Sequence, residues 1–301
     1  MSKKVIKSYK GFDKDMKCRD FQYEVGKEYE MGGEIKCCKQ GFHACKSPLE
    51  VWDYYDMLNS RFAEVEQSGK IDEEEMSTKV CSSHIKIKAE LKLADIINIG
   101  VEWLKDVTSP SNVKTNGALN DNGDRKKQIG SSGYSAKIGS SGYSAKIGSS
   151  GYYAQIGSSG YSAKIGSSGD YAQIGSSGYY AQIGSSGDYA QIGSSGYSAK
   201  IGSSGYSAKI GSSGDYAQIG SSGDSAKIDS TGEDSVIMCA GNESKAKAKI
   251  GSWITLAEWK WSDEKSRDVP VCVKTEYVDG ENIKAETWYQ LKNGKFVEVN
   301  E

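Results

Sequence analysis

The chain has 301 residues, room for two or three modules, and its 38 basic and 40 acidic side chains leave a net charge of −2. That balance gives no global preference for nucleic acid or an anionic membrane surface. The opening MSKKVIKSYK lacks the apolar core of a signal peptide and no run of 18 apolar residues occurs, so the expectation is a soluble cytoplasmic protein that does not enter membranes. Seven cysteines (18, 37, 38, 45, 81, 239 and 272) are an odd number without framework spacing, which predicts free thiols.

Residues 1–115 read as an α+β domain with its own core. Ser47-Pro48-Leu49-Glu50 predicts a helix start, with Ser as N-cap, Pro in the first turn and Glu three residues after the cap. The helix would reach about Asn59, burying Val51, Trp52, Tyr55 and Leu58. Glu73 to Glu75 read as a solvated turn. Ile85, Ile87, Ala89 and Leu91 alternate with Lys86, Lys88, Glu90 and Lys92, the pattern of a half-exposed strand. From Ala94 to Lys105, the helical spacing of Ile96, Ile97, Val101 and Leu104 predicts a helix.

The chemically interesting patch is Cys37-Cys38-Lys39-Gln40-Gly41-Phe42-His43-Ala44-Cys45. Cys18, one of Cys37 or Cys38, His43 and Cys45 could hold zinc, although the spacing is not a C-x₂-C pair. Cys45 or Cys38 could be a nucleophile with His43 as base, but an orienting third group is missing. The plainest reading makes the patch a turn and strand of small, soft residues packed under the Ser47 helix. His84 has no evident partner and reads as structural, so no cofactor or metal is expected.

The runs KGFDKDMKCRDFQYEVGKEY, GFHACKSPLEVWDYY and IKIKAELKLADII resemble, in order and wording, the N-terminal domain of uncharacterised proteins of phages and prophages. In those proteins this domain is often followed by nonapeptide repeats and a short C-terminal segment. The resemblance implies a phage-related origin and brings no activity or site residues with it.

Residues 116–128 are polar and rich in Gly and Asn, the composition of a linker. From Ile129 to Ile228 one phrase, I-G-S-S-G-[YD]-[SY]-A-[KQ], recurs in eleven full copies. Two Gly and at least two Ser per phrase argue against helix, and the fixed Ala and Ile argue against a disordered tract. Alternation puts Ala136, Ile138 and Ser140 on an inner face and the exchangeable Lys137 outside. Gly142 is expected to supply a turn conformation that other residues resist. Nine extended residues span only about 30 Å, too little for two strands about 10 Å apart plus their turns, so two phrases should make one coil. The predicted fold is therefore mainly β. A parallel β-roll or β-solenoid, two nine-residue repeats per coil over 129–249, lies between the N-terminal domain and a small C-terminal β cap, 250–301.

Twelve of the nineteen tyrosines lie in the repeats, just after Gly, where stacked coils should line them up as ladders. The candidate binding residues are Tyr134, Tyr143, Tyr152, Tyr161, Tyr179, Tyr197 and Tyr206, since Tyr is a favoured contact residue with little entropy to lose. Six Lys and four Asp make the roll near neutral, which argues against DNA mimicry and DNA binding. Asp is too irregular for a calcium-binding nonapeptide roll.

Asp234-Ser-Val-Ile-Met-Cys-Ala-Gly-Asn-Glu-Ser-Lys-Ala246 resembles the left-handed β-roll repeats of trimeric autotransporter heads, which implies a β-roll and side-by-side oligomers. In the cap, Trp253 to Trp259 predict a strand buried on both faces. Asp279-Gly280 and Asn293-Gly294 read as tight turns, the second closing a hairpin. Four of the six Trp lie here, and any that is exposed would mark a partner contact. The expected function is a non-enzymatic, phage-type protein-binding scaffold, one form being an inhibitor of a host defence system. The alternatives are a homo-oligomeric virion or attachment protein and an enzyme using His43 and Cys45.

Overall fold

A computed structural model describes residues 5–74, 77–107, 118–120 and 128–300, without the side chains of 118–120 and Lys105. Contacts divide the chain into two compact units, residues 1–103 and 104–301.

The first unit is an antiparallel sheet in the order Glu28–Glu30, Lys79–Leu91, Phe42–Cys45, Ile6–Phe12, Arg61–Glu73. Arg61–Glu73 also pairs with Lys79–Leu91, so the sheet curls closed. Phe12, Tyr23, Phe42, Val65, Ile85 and Ile87 fill the interior. The alternation from Ile85 holds only to Ile87, and Ala89 is exposed. Val65 pairs with Ile87 and Glu64 with Ala89, which leaves Lys88 as a bulge residue that shifts the alternation by one.

The helix Leu93–Val107 buries Ile96, Ile97, Val101 and Leu104 as their spacing predicts. The Asp95 carboxylate accepts the Lys92 N–H at 2.9 Å, satisfying one donor at the helix start. The helix expected from Ser47 to Asn59 is only a 3₁₀ segment, Leu49–Asp53, with Pro48 at the cap position and no side-chain capping bond. Glu50 does not turn back on the helix start; it accepts the Thr78 N–H across the fold at 2.8 Å. Without that cap, so short a helix gains too little to propagate. Val51 and Trp52 are buried, while Met57 rather than Leu58 reaches the interior. Glu73 ends its strand, Glu74 pairs with Lys79 at 2.8 Å, and Glu75 lies outside the described residues.

The second unit is a two-sided β-solenoid of about seven turns. Strands of the form [KQ]-I-G-S pair in parallel with the strand 18 residues away, so each phrase is half a coil. Ile138, Ile156 and Ile174 stack in one sheet, and Ile147, Ile165 and Ile183 in the other. Ile and Ala from both sheets meet in a closed interior, with Ser140, Ser158 and Ser176 beside them at 0% exposure. The strand Ala118–Asn120, inside the segment read as linker, pairs in parallel with Lys137–Ser140; residues 121–127 lie outside the described residues. The exchangeable position is fully solvated on one sheet, while on the other Lys137, Lys209 and Lys227 are half-buried. Lys146, Lys164 and Gln182 are exposed, whereas Gln155, Gln173 and Gln191 on the other are buried.

The phrase glycine works differently from its expected role. Gly142 is not among the left-handed glycines. In alternate phrases as far as Tyr189 the left-handed residue is the one two places after the glycine, at Ser135, Tyr153, Tyr171 and Tyr189, with φ of +55 to +56°. Glycine is required because the coils touch there: a Cβ on Gly187 would lie 2.1 Å from the Gly169 carbonyl oxygen. Inner serines help hold the corner, the Ser158 hydroxyl accepting the Gly160 N–H at 3.3 Å.

Both sheets end by changing direction. The stretch at 234–246 continues the solenoid, with Ile237 and Cys239 in the core. Trp253–Ser262 then adds in parallel, followed by antiparallel Arg267–Tyr277. On the other sheet Tyr289–Lys292 and Lys295–Glu298 form the expected hairpin, with Asn293 and Gly294 at φ 51° and 67°, as a type I′ turn requires. Trp253–Ser262 is buried on one face only: Ile254, Leu256 and Glu258 point inward, and Trp253 is exposed. An end strand of a solenoid has core beneath it and nothing obliged to lie above it.

Asp279 does not close a hairpin. Its carboxylate accepts the N–H groups of Glu281, Asn282 and Ile283 at 2.8–3.1 Å, and Gly280 takes φ +84°. These bonds and one from the Asn282 side chain hold the Asp279 pKa at about 2, below the usual carboxylate value. A carboxylate with a depressed folded-state pKa stabilises above its unfolded pKa and loses that contribution as pH falls through the folded one. The 279–283 loop should therefore loosen between about pH 4 and pH 2. Asp279→Asn should abolish that step in amide exchange of the loop, followed by NMR.

Candidate functional site

The proposed contact tyrosines fall on both edges of the solenoid, because successive phrases turn successive corners. Tyr143, Tyr161, Tyr179 and Tyr197 form one column, with ring centroids 5.0, 5.5 and 4.8 Å apart and interplanar angles of 12°, 4° and 26°. Tyr134 and Tyr152 stack on the opposite edge at 5.6 Å. Six of the seven candidates are exposed and Tyr197 is half-buried. Rings so spaced stabilise one another by about 0.5–1.5 kcal/mol per pair while their rims and hydroxyls stay in solvent. Crowding desolvates the hydroxyls of Tyr152, Tyr161 and Tyr197 and raises their pKa, with neighbouring phenols adding to the effect.

The second column survives a change of residue. Where Asp170 and Asp188 replace tyrosine, the next residue is Tyr171 or Tyr189, and these two rings stack at 5.0 Å. Tyr171 meets Tyr152 above it at 5.4 Å, and Tyr189 meets Tyr206 below at 5.6 Å. The aspartates meanwhile bind backbone: Asp170 accepts the Asp188 N–H and Asp188 accepts the Tyr206 N–H, each at 2.8 Å. Asp215 and Asp224 do the same for Glu233 and Asn242. The choice of D-Y at 170, 188 and 215, where other phrases have Y-S, Y-Y or, at 224, D-S, is visible in the repeat. Its meaning depends on knowing that residues 18 apart are neighbours.

In the first unit the cysteine and histidine candidates are held by structural bonds. His43 Nε2 accepts the Cys38 N–H at 3.0 Å, so the nitrogen a base would use is occupied. Burial, then the Lys10 charge, lowers the His43 pKa. Cys18 Sγ meets the Tyr55 hydroxyl at 2.9 Å, and Cys37 Sγ donates to the Asp72 carbonyl oxygen at 3.3 Å. Among the described residues no group of three or more His, Cys, Asp or Glu is arranged to hold a metal. Lys10 is buried; its Nζ donates to the His43 carbonyl oxygen at 3.1 Å and lies 5.4–6.0 Å from the rings of Phe12, Tyr23 and Tyr55.

Cys45 is buried, and burial pushes its thiol pKa far up; Cys81 is pushed up to about 12. Cys38 is exposed. Only the thiolate alkylates readily. Iodoacetamide near neutral pH should therefore label Cys38 in the native chain and reach Cys45 and Cys81 only after denaturation, as followed by mass spectrometry.

Of the four cap tryptophans, Trp288 is buried, Trp259 is half-buried, and Trp253 and Trp261 are 47% and 62% exposed. Among the described residues no helix is long and apolar enough to cross a membrane.

Residues 6–99 match the family model described as Domain of unknown function (DUF7666). No curated protein and no solved structure matches the chain. The N-terminal region is thus similar to an uncharacterised conserved domain whose name carries no activity.

Proposed function

We propose that this protein is a non-enzymatic scaffold that binds another protein through the tyrosine-lined edges of its solenoid. The observation that carries the reading is the column Tyr143–Tyr161–Tyr179–Tyr197, a regular row of phenol rims on a rigid support. Ordered rings lose little entropy on contact, and tyrosine combines apolar area with a hydrogen-bonding tip. The near-neutral surface and the use of the aspartates on backbone N–H groups support a protein partner over nucleic acid or calcium. A phage-related origin, action in the host cytoplasm and inhibition of a host defence system rest on the likeness of the N-terminal runs to phage and prophage proteins.

The test is capture from host extract on the immobilised chain, with the retained protein identified by mass spectrometry. Tyr143→Ser, Tyr161→Ser and Tyr179→Ser combined should keep the fold and weaken that partner at least about tenfold. Unchanged capture by the folded triple variant would remove the edge as the binding surface. Deleting one coil, residues 165–182, should preserve folding and weaken capture; full capture would make the solenoid a spacer.

A further inference from the structure

The outer face of the C-terminal end differs from the rest of its sheet. Along this sheet the repeats place Lys or Gln and then Gly outward, as in Lys200 and Gly202. At the next-to-last coil these become Val236 and Met238, each 51% exposed. The pairing register sets Val236 beside Trp253 and Trp253 beside Tyr277, with those two rings 5.0 Å apart. Val273, 64% exposed, lies in the adjoining row beside Ala257, and between the rows the Thr255 and Thr275 hydroxyls are hydrogen-bonded to each other at 2.8 Å. From Val236 and Met238 across Trp253, Thr255 and Ala257 to Val273, Thr275 and Tyr277 the face is therefore contiguous and carries no outward charge; the charge on its margin is Asp268, which pairs with Trp261 further along. Single exposed apolar side chains need no explanation, but a contiguous face of them does.

We infer that this face is a self-association surface and that its occupant is a second copy of the same chain, related by a twofold axis. Three observations favour a copy. An uncharged apolar face meets itself without stripping water from any charge, whereas a charged partner would find nothing complementary. The area suits: strands of this length, with the glycine floor at Gly220 and Gly202 continuing the face, offer roughly 600 Å², near the ~800 Å² per partner of an ordinary interface. That floor is open, since a Cβ on either glycine would meet nothing within 4 Å. Finally, the neighbouring edge is closed to strand addition. Pro270 and a bulge between Glu258 and Trp259 interrupt Arg267–Tyr277, so association goes through the face. A twofold axis over the cap sends the two solenoids in opposite directions and keeps Lys146, Lys164 and Lys200 of the copies apart.

Light scattering and sedimentation equilibrium of the full chain test this, between about 1 and about 100 µM. The mass should rise from 32.5 kDa toward twice that value. Val273→Glu and Met238→Glu, each at an exposed position, should shift the midpoint upward at least about tenfold with unchanged circular dichroism. Tyr143→Ser should leave it in place, which separates this surface from the tyrosine edge. A chain that stays at 32.5 kDa throughout, a limiting mass of three copies, or full association in both glutamate variants would overturn the inference.

Discussion

Gly187→Ala is expected to destabilise the solenoid by about 3 kcal/mol or more, while Gly184→Ala, three residues away, should be neutral or stabilising by about 0.5 kcal/mol. The two glycines belong to one phrase and have the same identity, so propensity cannot separate them. A Cβ on Gly187 would sit 2.1 Å from the Gly169 carbonyl oxygen and 2.5 Å from its carbon, which is backbone and cannot swing aside. The next coil repeats the contact, with Gly205 approaching the Gly187 carbonyl oxygen in the same way. A forced separation therefore opens the parallel ladder on both sides of the substitution. Gly184 faces outward with nothing within 4 Å of a Cβ, and alanine there only reduces the freedom of the unfolded chain. Urea melts of both variants decide the matter; equal loss would refute the coil-to-coil contact as the reason for the corner glycine.

The second large effect is at the centre of the core. Ile192→Ala should cost about 2–5 kcal/mol. Ile192 is fully buried and stacks between Ile174 and Ile210 in its own sheet. Removing it leaves a void that neighbours fixed by the ladder cannot fill. In a nearly one-dimensional protein each coil is coupled chiefly to the two beside it. A weakened central coil should therefore broaden the melt or split it in two. Ile129→Ala, in the first described strand of its sheet, should cost less and leave the transition sharp. Calorimetry compares the two, and an identical single transition would argue against nearest-neighbour coupling.

The amino-acid sequence by itself determined the solenoid. Period, alternation and reach put Ile138 and Ile156 in register 18 residues apart, made the phrase half a coil and predicted the tyrosine columns. Each of these follows from local geometry repeated many times, so errors do not accumulate. The same holds for the helix Leu93–Val107 and for the hairpin at Asn293-Gly294, where the turn type needs two left-handed residues in succession.

Other features depended on partners distant in sequence. Ser47-Pro48-Leu49-Glu50 has the residues of a helix start, yet the Glu50 carboxylate finds the Thr78 N–H and the helix stops at Asp53. His43 and Cys45 resemble a reactive pair until His43 is seen to accept the Cys38 N–H and Cys45 to be enclosed. The corner glycine, the aspartates that bind the next coil, and the apolar outer face of Trp253–Ser262 all take their meaning from the neighbouring coil or its absence. Tertiary structure decided these because stacking, and not local preference, sets which backbone groups touch and which side chains have nothing above them.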